Sequence, residues 1–336
     1  MRIEQAVRTI KLAVRMREPV LLVGAPGVGK SDVATQVAES LGYDMILSHP
    51  VVSDPTDFKG LPFASEDRAS ASFLPFGDLK RALDADRPTI WMFDDLGQAP
   101  QAVQAALMQL LLAREVNSKR ISDRVTFVAA TNRRQDRAGV GGLLEPVKSR
   151  FASIIEIEAH RDDWCRWAGS AGVAPEVIAF IMLRPEALHE FVATADMTNS
   201  PSPRAWSKVS KWLQAGIEER DMLQTFTGTI GLGRASEFVG FIKMFRGLVK
   251  PDQILLNPET APVPEDMSAQ YAVASALAHI ANDRNFGRIH RYALRLPRDI
   301  GVLLVKQCER RNPKIVESPD WNEYVLGPIG QEVLGA

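Results

Sequence analysis

Short apolar runs recur through the first half of the chain, each separated from the next by stretches of helical period. The runs are Val20 to Val23, Met45 to Leu47, Ile90 to Phe93, Val125 to Ala130 and Ile154 to Ile157. Runs this short and this apolar, alternating with helical segments, predict a parallel sheet with helices on both faces. Residues 1 to 16 place Ile3, Ala6, Val7, Ile10, Ala13 and Val14 on one side of a helix, and Val33, Ala34, Val37, Ala38 and Leu41 repeat that spacing. Beyond about residue 160 the strand signals fade and helical spacing takes over, as in Phe238, Phe241, Ile242 and Phe245. Proline and glycine punctuation at 199–203 and 251–264 divides this helical part. Three domains are therefore expected: an α/β core over 1–158, an all-α region over 159–250 and a helical C-terminal extension over 251–336.

At 336 residues and 46% hydrophobic composition the chain can bury a real core. Its formal net charge of -1 supplies no global pull toward nucleic acid or anionic membrane. No apolar run has the length of a membrane span, and the N-terminus lacks the apolar stretch of a signal peptide, which points to a cytoplasmic protein. Cys165 and Cys308 have neither disulfide-framework nor metal spacing, and the five histidines draw no zinc pattern.

Directly after the first apolar run stands Gly24-Ala25-Pro26-Gly27-Val28-Gly29-Lys30-Ser31, a full match to the phosphate-loop pattern GxxxxGK[ST]. Glycines let the backbone wrap a polyphosphate with its N–H groups, Lys30 brings positive charge to the β and γ phosphates, and Ser31 offers a hydroxyl to Mg²⁺. ATP and Mg²⁺ are the expected ligands. The strand Thr89 to Phe93 ends in Asp94 and Asp95, a pair suited to orient the metal (Asp94, with Ser31) and to polarise an attacking water (Asp95). The alternative is that the pair caps the helix beginning near Pro100. The run from Val125 ends in Asn132, an amide that could hold a water or meet the γ phosphate, although a strand-end Asn is also a common turn former. Arg150 precedes the Ile154 run, from where its fixed charge could reach a nucleotide on a neighbouring subunit or simply pair with a surface acid. Arg133, Arg134 and Arg137 are rivals for the first role. Ser202-Pro203-Arg204 reads as a helix start, with Arg204 set against the helix dipole, a placement that either a phosphate in front of it or simple solvent exposure would ease.

In this order the elements resemble the AAA+ ATPases, and among them the MoxR family. By that resemblance the phosphate loop is Walker A, Ile90 to Asp95 Walker B, Asn132 sensor 1, Arg150 the arginine finger and Arg204 sensor 2 in an all-α lid. Ser53 to Gly60 resembles the family's stretch after its second strand, and Ala105 to Val116 resembles the helix after Walker B. The resemblance covers roughly residues 1 to 220. It implies an ATP-hydrolysing ring, usually hexameric, that remodels a protein client with a partner carrying a von Willebrand factor A domain. Family members usually carry Glu where this chain has Asp95, one methylene shorter, and hydrolysis is expected to survive the change. Leu61 to Ala64 and Ala71 to Leu74 would be the arms of an inserted hairpin around the polar tip Ser65 to Arg68, either lining the pore of the ring or lying on the surface.

Two other signals compete. Gly228, Gly231 and Gly233 mimic a second nucleotide loop, but no strand precedes them and no Lys-Ser follows, so they read as a turn between helices. Arg284, Arg288, Arg291, Arg295 and Arg298 would form a cationic stripe if the segment stays helical to Leu296. That stripe would be a subunit contact or a solvated face, or else the basis of an alternative function on nucleic acid, of the helicase-loader or restriction-motor type. A small-molecule kinase is the third reading, and it has no need of Arg204 or an interface arginine.

Overall fold

The computed structural model describes residues 1–64, 69–136, 141–192, 197–247, 250–327 and 330. They fall into two compact units, Met1–Ala159 with Phe191–Ala193, and His160–Glu190 with Thr194–Ala336.

The strands of the first unit are β1 (Val20–Val23), β2 (Asp44–Ser48), β3 (Leu61–Ala64), β4 (Ala71–Leu74), β5 (Thr89–Phe93), β6 (Glu115–Val116), β7 (Lys119–Arg120), β8 (Val125–Thr131) and β9 (Ser153–Glu156). Its helices are α1 (Ile3–Met16), α2 (Lys30–Leu41), α3 (Pro55–Lys59), α4 (Gly77–Leu83), α5 (Gln101–Ala113) and α6 (Glu145–Lys148). All five apolar runs become strands of one parallel sheet, in the order β2-β5-β8-β1-β9.

The runs are continuous rather than alternating because both faces of the sheet are covered. Val20, Leu22, Ile90, Met92, Val128 and Ala130 point to one face, where Ile10 and Val14 of α1 and Val33 and Val37 of α2 close over them. Leu21, Trp91, Phe93 and Phe127 point to the other and meet Val103, Leu107 and Leu110 of α5. On that side Trp91 and Phe93 lie 5.0 Å apart between ring centroids, and Phe93 stacks on Phe127 at 5.8 Å. Each large side chain so enclosed contributes roughly 1.5–3 kcal/mol.

The expected hairpin is β3 paired antiparallel with β4, Leu61 opposite Leu74. Its tip at 65–68 lies outside the described residues, and all eight strand positions are exposed. One expectation needs correction: the helix after Walker B stops at Ala113, short of Val116. Arg114 turns left-handed at φ 52°, and Glu115 and Val116 pair with Lys119 and Arg120 around Asn117 and Ser118, both at positive φ. Two successive positive-φ residues suit the tight turns of hairpins.

The second unit is helical: α7 (Arg161–Ser170), α8 (Pro175–Leu183), α9 (Pro203–Gln214), α10 (Glu219–Ile230), α11 (Leu232–Gly247), α12 (Pro251–Leu256), α13 (Met267–Ile280), α14 (Phe286–Ala293), α15 (Arg298–Arg311) and α16 (Pro319–Leu326). Phe180, Trp206 and Phe238 form an aromatic centre with centroids 5.1–5.4 Å apart. Trp206 satisfies its indole N–H on Ala187 O at 2.7 Å. Phe238 is fully buried there, so Phe238→Ala is expected to destabilise the chain by about 3–5 kcal/mol, read as a lower urea midpoint at unchanged slope. Segments on either side of residue 250 share this unit, α8 packing directly on α13. Cys165 and Cys308 are free and buried. Burial pushes the Cys165 thiol up to about 12, which leaves it inert as a nucleophile near neutral pH.

Gly231, at φ 78°, is the turn between α10 and α11, as read from the sequence. The arginine stripe does not form. The helix ends at Ala293, where Arg295 N and Leu296 N close tight turns onto Tyr292 O and Ala293 O ahead of Pro297, so the five cations are dispersed over loop, α14 and α15. Arg295 is tied to Pro258 O at 2.7 Å, and Arg291 pairs with Glu259 at 3.6 Å. No described helix is long and apolar enough to cross a membrane.

Candidate nucleotide site

Strand order places the chemistry. β5, β8 and β1 are neighbours running parallel, so their C-terminal ends open on one edge of the sheet, where ligands of α/β folds bind. Val23 pairs with Thr131, so Gly24 and Asn132 leave the sheet side by side, with Gly24 N donating to Thr131 O at 3.3 Å. Asp94 follows β5 on the same edge, its N–H donating to Ser48 O at 2.9 Å.

The loop after β1 needs its glycines for two reasons. Gly27 and Gly29 sit at φ 79° and 94°, a region costly for residues with a Cβ. At Gly24 a Cβ would lie 2.7 Å from Ile157 O, so a side chain would push the loop off the sheet. The loop delivers the chain into α2 with Gly29 as its N-cap and no side chain accepting from the first turn. An uncapped helix start with a glycine loop in front of it is a set of backbone donors suited to a polyphosphate.

Lys30, only 7% exposed, turns its ammonium toward Gly24 O at 3.0 Å, Ala25 O at 3.2 Å and Asn132 Oδ1 at 2.7 Å. Asn132 in turn donates from Nδ2 to Asp95 Oδ1 at 3.4 Å. An ammonium on one side and a carboxylate on the other fix which way this amide faces. Ser31 Oγ donates to Asp94 Oδ2 at 2.6 Å, and Asp94 Oδ1 accepts from Asp95 N at 3.0 Å. Asp95 itself is left-handed, φ 55° and ψ 33°, a conformation that Asp tolerates better than most side chains, and Gln98 Nε2 donates to its Oδ1 at 3.0 Å. The hydroxyl and carboxylate of Ser31 and Asp94 form an oxygen set of the kind Mg²⁺ takes, and Asp95 stands beside it as a candidate base. The residues present therefore fit Mg²⁺ and a nucleoside triphosphate.

Lys30, Ser31, Asp94, Asp95 and Asn132 are thus brought together. Arg150 is not hydrogen-bonded to them; it follows α6, partly buried, and its Nε has no hydrogen-bond partner among the described residues. Arg133 is held by Asp136 at 3.0 and 3.1 Å and lies 3.6 Å from Glu156, and the hydrogen bonds to Asp136 raise its pKa further. Arg134 is exposed on an open groove with Gln135 and Glu156, and Arg137 lies outside the described residues. Arg204 belongs to the second unit, exposed in the first turn of α9, where Ser202 Oγ accepts from Ala205 N at 3.2 Å. Two partners escaped the sequence reading, Gln98 and Asp136. Each sits three residues after the group it holds, a spacing with no motif attached to it.

Residues 19–151 match the AAA domain of the dynein-related subfamily. Over 163 residues, 47% of this chain and 46% of the relative, the sequence is 29% identical to protein MoxR of Methylorubrum extorquens. Residues 19–151 are thus similar to AAA domains, and the chain resembles MoxR over about half of its length. It is also 28% identical to midasin of Giardia intestinalis over 171 residues, 48% of this chain. A RuvB mutant of Thermotoga maritima aligns with a TM-score of 0.44 and 18% identity, covering 82% of this chain and 81% of that one. The chain spans less than half the length of these curated relatives, 46% of MoxR and 3% of midasin.

Proposed function

We propose that this chain binds Mg²⁺ and ATP, hydrolyses the γ phosphate, and does so in a ring, hexameric by resemblance, to remodel a protein client. The observation that carries the reading is the continuous bonded array from Lys30 through Asn132 to Asp95, set beside the Ser31–Asp94 pair at the ends of three neighbouring strands. A bare phosphate-binding loop has no need of a second carboxylate linked to its lysine through an amide. In this reading residues 24–29 and the start of α2 hold the polyphosphate, and Ser31 and Asp94 hold the metal, which would draw charge from the phosphate oxygens. Asp95 orients the attacking water and takes its proton, while Asn132 keeps Asp95 and Lys30 at a fixed separation. The exposed apolar side chains of the hairpin, Phe63 at 53% and Leu74 at 54%, suit contact with a client chain. A partner with a von Willebrand factor A domain is proposed from the MoxR resemblance.

Arg150, whose buried Nε has no hydrogen-bond partner among the described residues, is proposed as the group that completes a neighbour's site. Arg150→Ala is expected to bind ATP with unchanged affinity while steady-state phosphate release falls on the order of a hundredfold or more. Mixing it with Lys30→Ala subunits should restore part of the activity, because such mixtures contain sites with an intact loop facing an intact Arg150. Normal turnover by Arg150→Ala alone would move the role to Arg134 or Arg137, since Arg133 is already held by Asp136.

A further inference from the structure

The second unit carries a small recess among α7, α8, α13 and α15, lined in part by Cys165, Ile178, Ser275, Gln307, Arg310 and Arg311. Its volume is about 20 Å³, room for an oxygen atom or two. Ser275 is 3% exposed, and its Oγ has no hydrogen-bond partner among the described residues. Gln307 spends a donor on Met182 Sδ at 2.8 Å, a poor acceptor from which it is easily redirected. Arg310 and Arg311 end α15 partly buried, and neither makes an ion pair among the described residues. Asp162, on the same helix as Cys165, is taken up by Arg161 at 2.7 Å. Burial lowers the Arg311 pKa.

Positive charge suits the carbonyl end of α15, which accounts for the sign of the two arginines. It does not account for the partly desolvated Arg311 guanidinium beside a buried hydroxyl with no hydrogen-bond partner among the described residues. Such groups are costly to leave without partners, and an oxyanion supplies acceptors to all of them. We propose that the mouth of this recess binds one small tetrahedral oxyanion through Arg310 and Arg311, with one or two of its oxygens entering toward Ser275 and Gln307. The ion is either free phosphate or a phosphate group carried on a chain.

The test is calorimetric titration of the full chain bearing Lys30→Ala, which weakens the glycine loop as a competing phosphate site, at ionic strength matched with chloride. Inorganic phosphate is expected to bind saturably, and adding Arg311→Gln should weaken it about tenfold or more. Arg310→Gln serves as the second variant should thermal unfolding show the first to be misfolded. O-phosphoserine binding through the same arginines, with inorganic phosphate far weaker, would support the site and identify a chain-borne ligand. Crystals soaked in selenate should show an anomalous peak beside Arg311. Phosphate affinity unchanged by both arginine substitutions, or selenate found at the glycine loop and not in this recess, would overturn the proposal.

Discussion

Lys30→Ala protein is expected to bind MgATP at least tenfold to a hundredfold more weakly and to release phosphate at the background rate. The ammonium lies among Gly24 O, Ala25 O and Asn132 Oδ1, at the mouth of the glycine loop, where a short swing of its flexible stem brings it to a bound phosphate. Hydrogen bonds to charged groups are each worth about 1.5–3 kcal/mol, so losing even one covers that range. Fluorescent-nucleotide titration reads the affinity and a coupled phosphate assay reads the rate. Matching rates for the two proteins would sink the ATPase reading altogether.

Asp95→Asn should separate binding from chemistry. The amide has almost the shape of the carboxylate, and its oxygen can still accept from Gln98 and Asn132, so the array that positions it survives. What disappears is a group able to take a proton. Nucleotide affinity is expected to stay within a few-fold of the native value, while single-turnover hydrolysis falls about 10²- to 10⁴-fold. Native turnover by the Asp95→Asn protein would show that another group activates the water and that Asp95 serves only the left-handed turn after β5. The Asp at position 95, where the resemblance to MoxR proteins implies Glu, has a local counterpart here, since φ 55° at this position is easier for Asp than for a longer side chain.

The central strands β1, β5 and β8 were legible because they are buried on both faces. With Val20 and Leu22 facing one helical layer and Leu21 the other, nearly every position is apolar, and the run stands out from the surrounding helical period. The β6-β7 hairpin was not legible. Glu115 and Val116 continue the composition of α5, and the chain departs from the helix only because Arg114 adopts φ 52°, with its guanidinium donating to Ser122 O and Val125 O. Those acceptors are distant in sequence, so nothing local announces the break. The cationic series around α14 failed in a comparable way: spacing alone suggested a stripe, whereas the turns before Pro297 and the carbonyl of Pro258 dispersed it.

Local order along the chain determined that a glycine loop would follow a buried strand, that two acids and an amide would close two others, and that helices would make up the remainder. Those are matters of residue type and period, which short-range sterics and burial decide. Which groups meet was settled in three dimensions. Only the order β5-β8-β1 makes Asn132 a bridge between Lys30 and Asp95, and only the packing of the first unit leaves the Arg150 Nε buried without a hydrogen-bond partner among the described residues. The reason is that a buried charge takes whichever partner the fold brings within about 3 Å, and sequence separation carries no information about that distance.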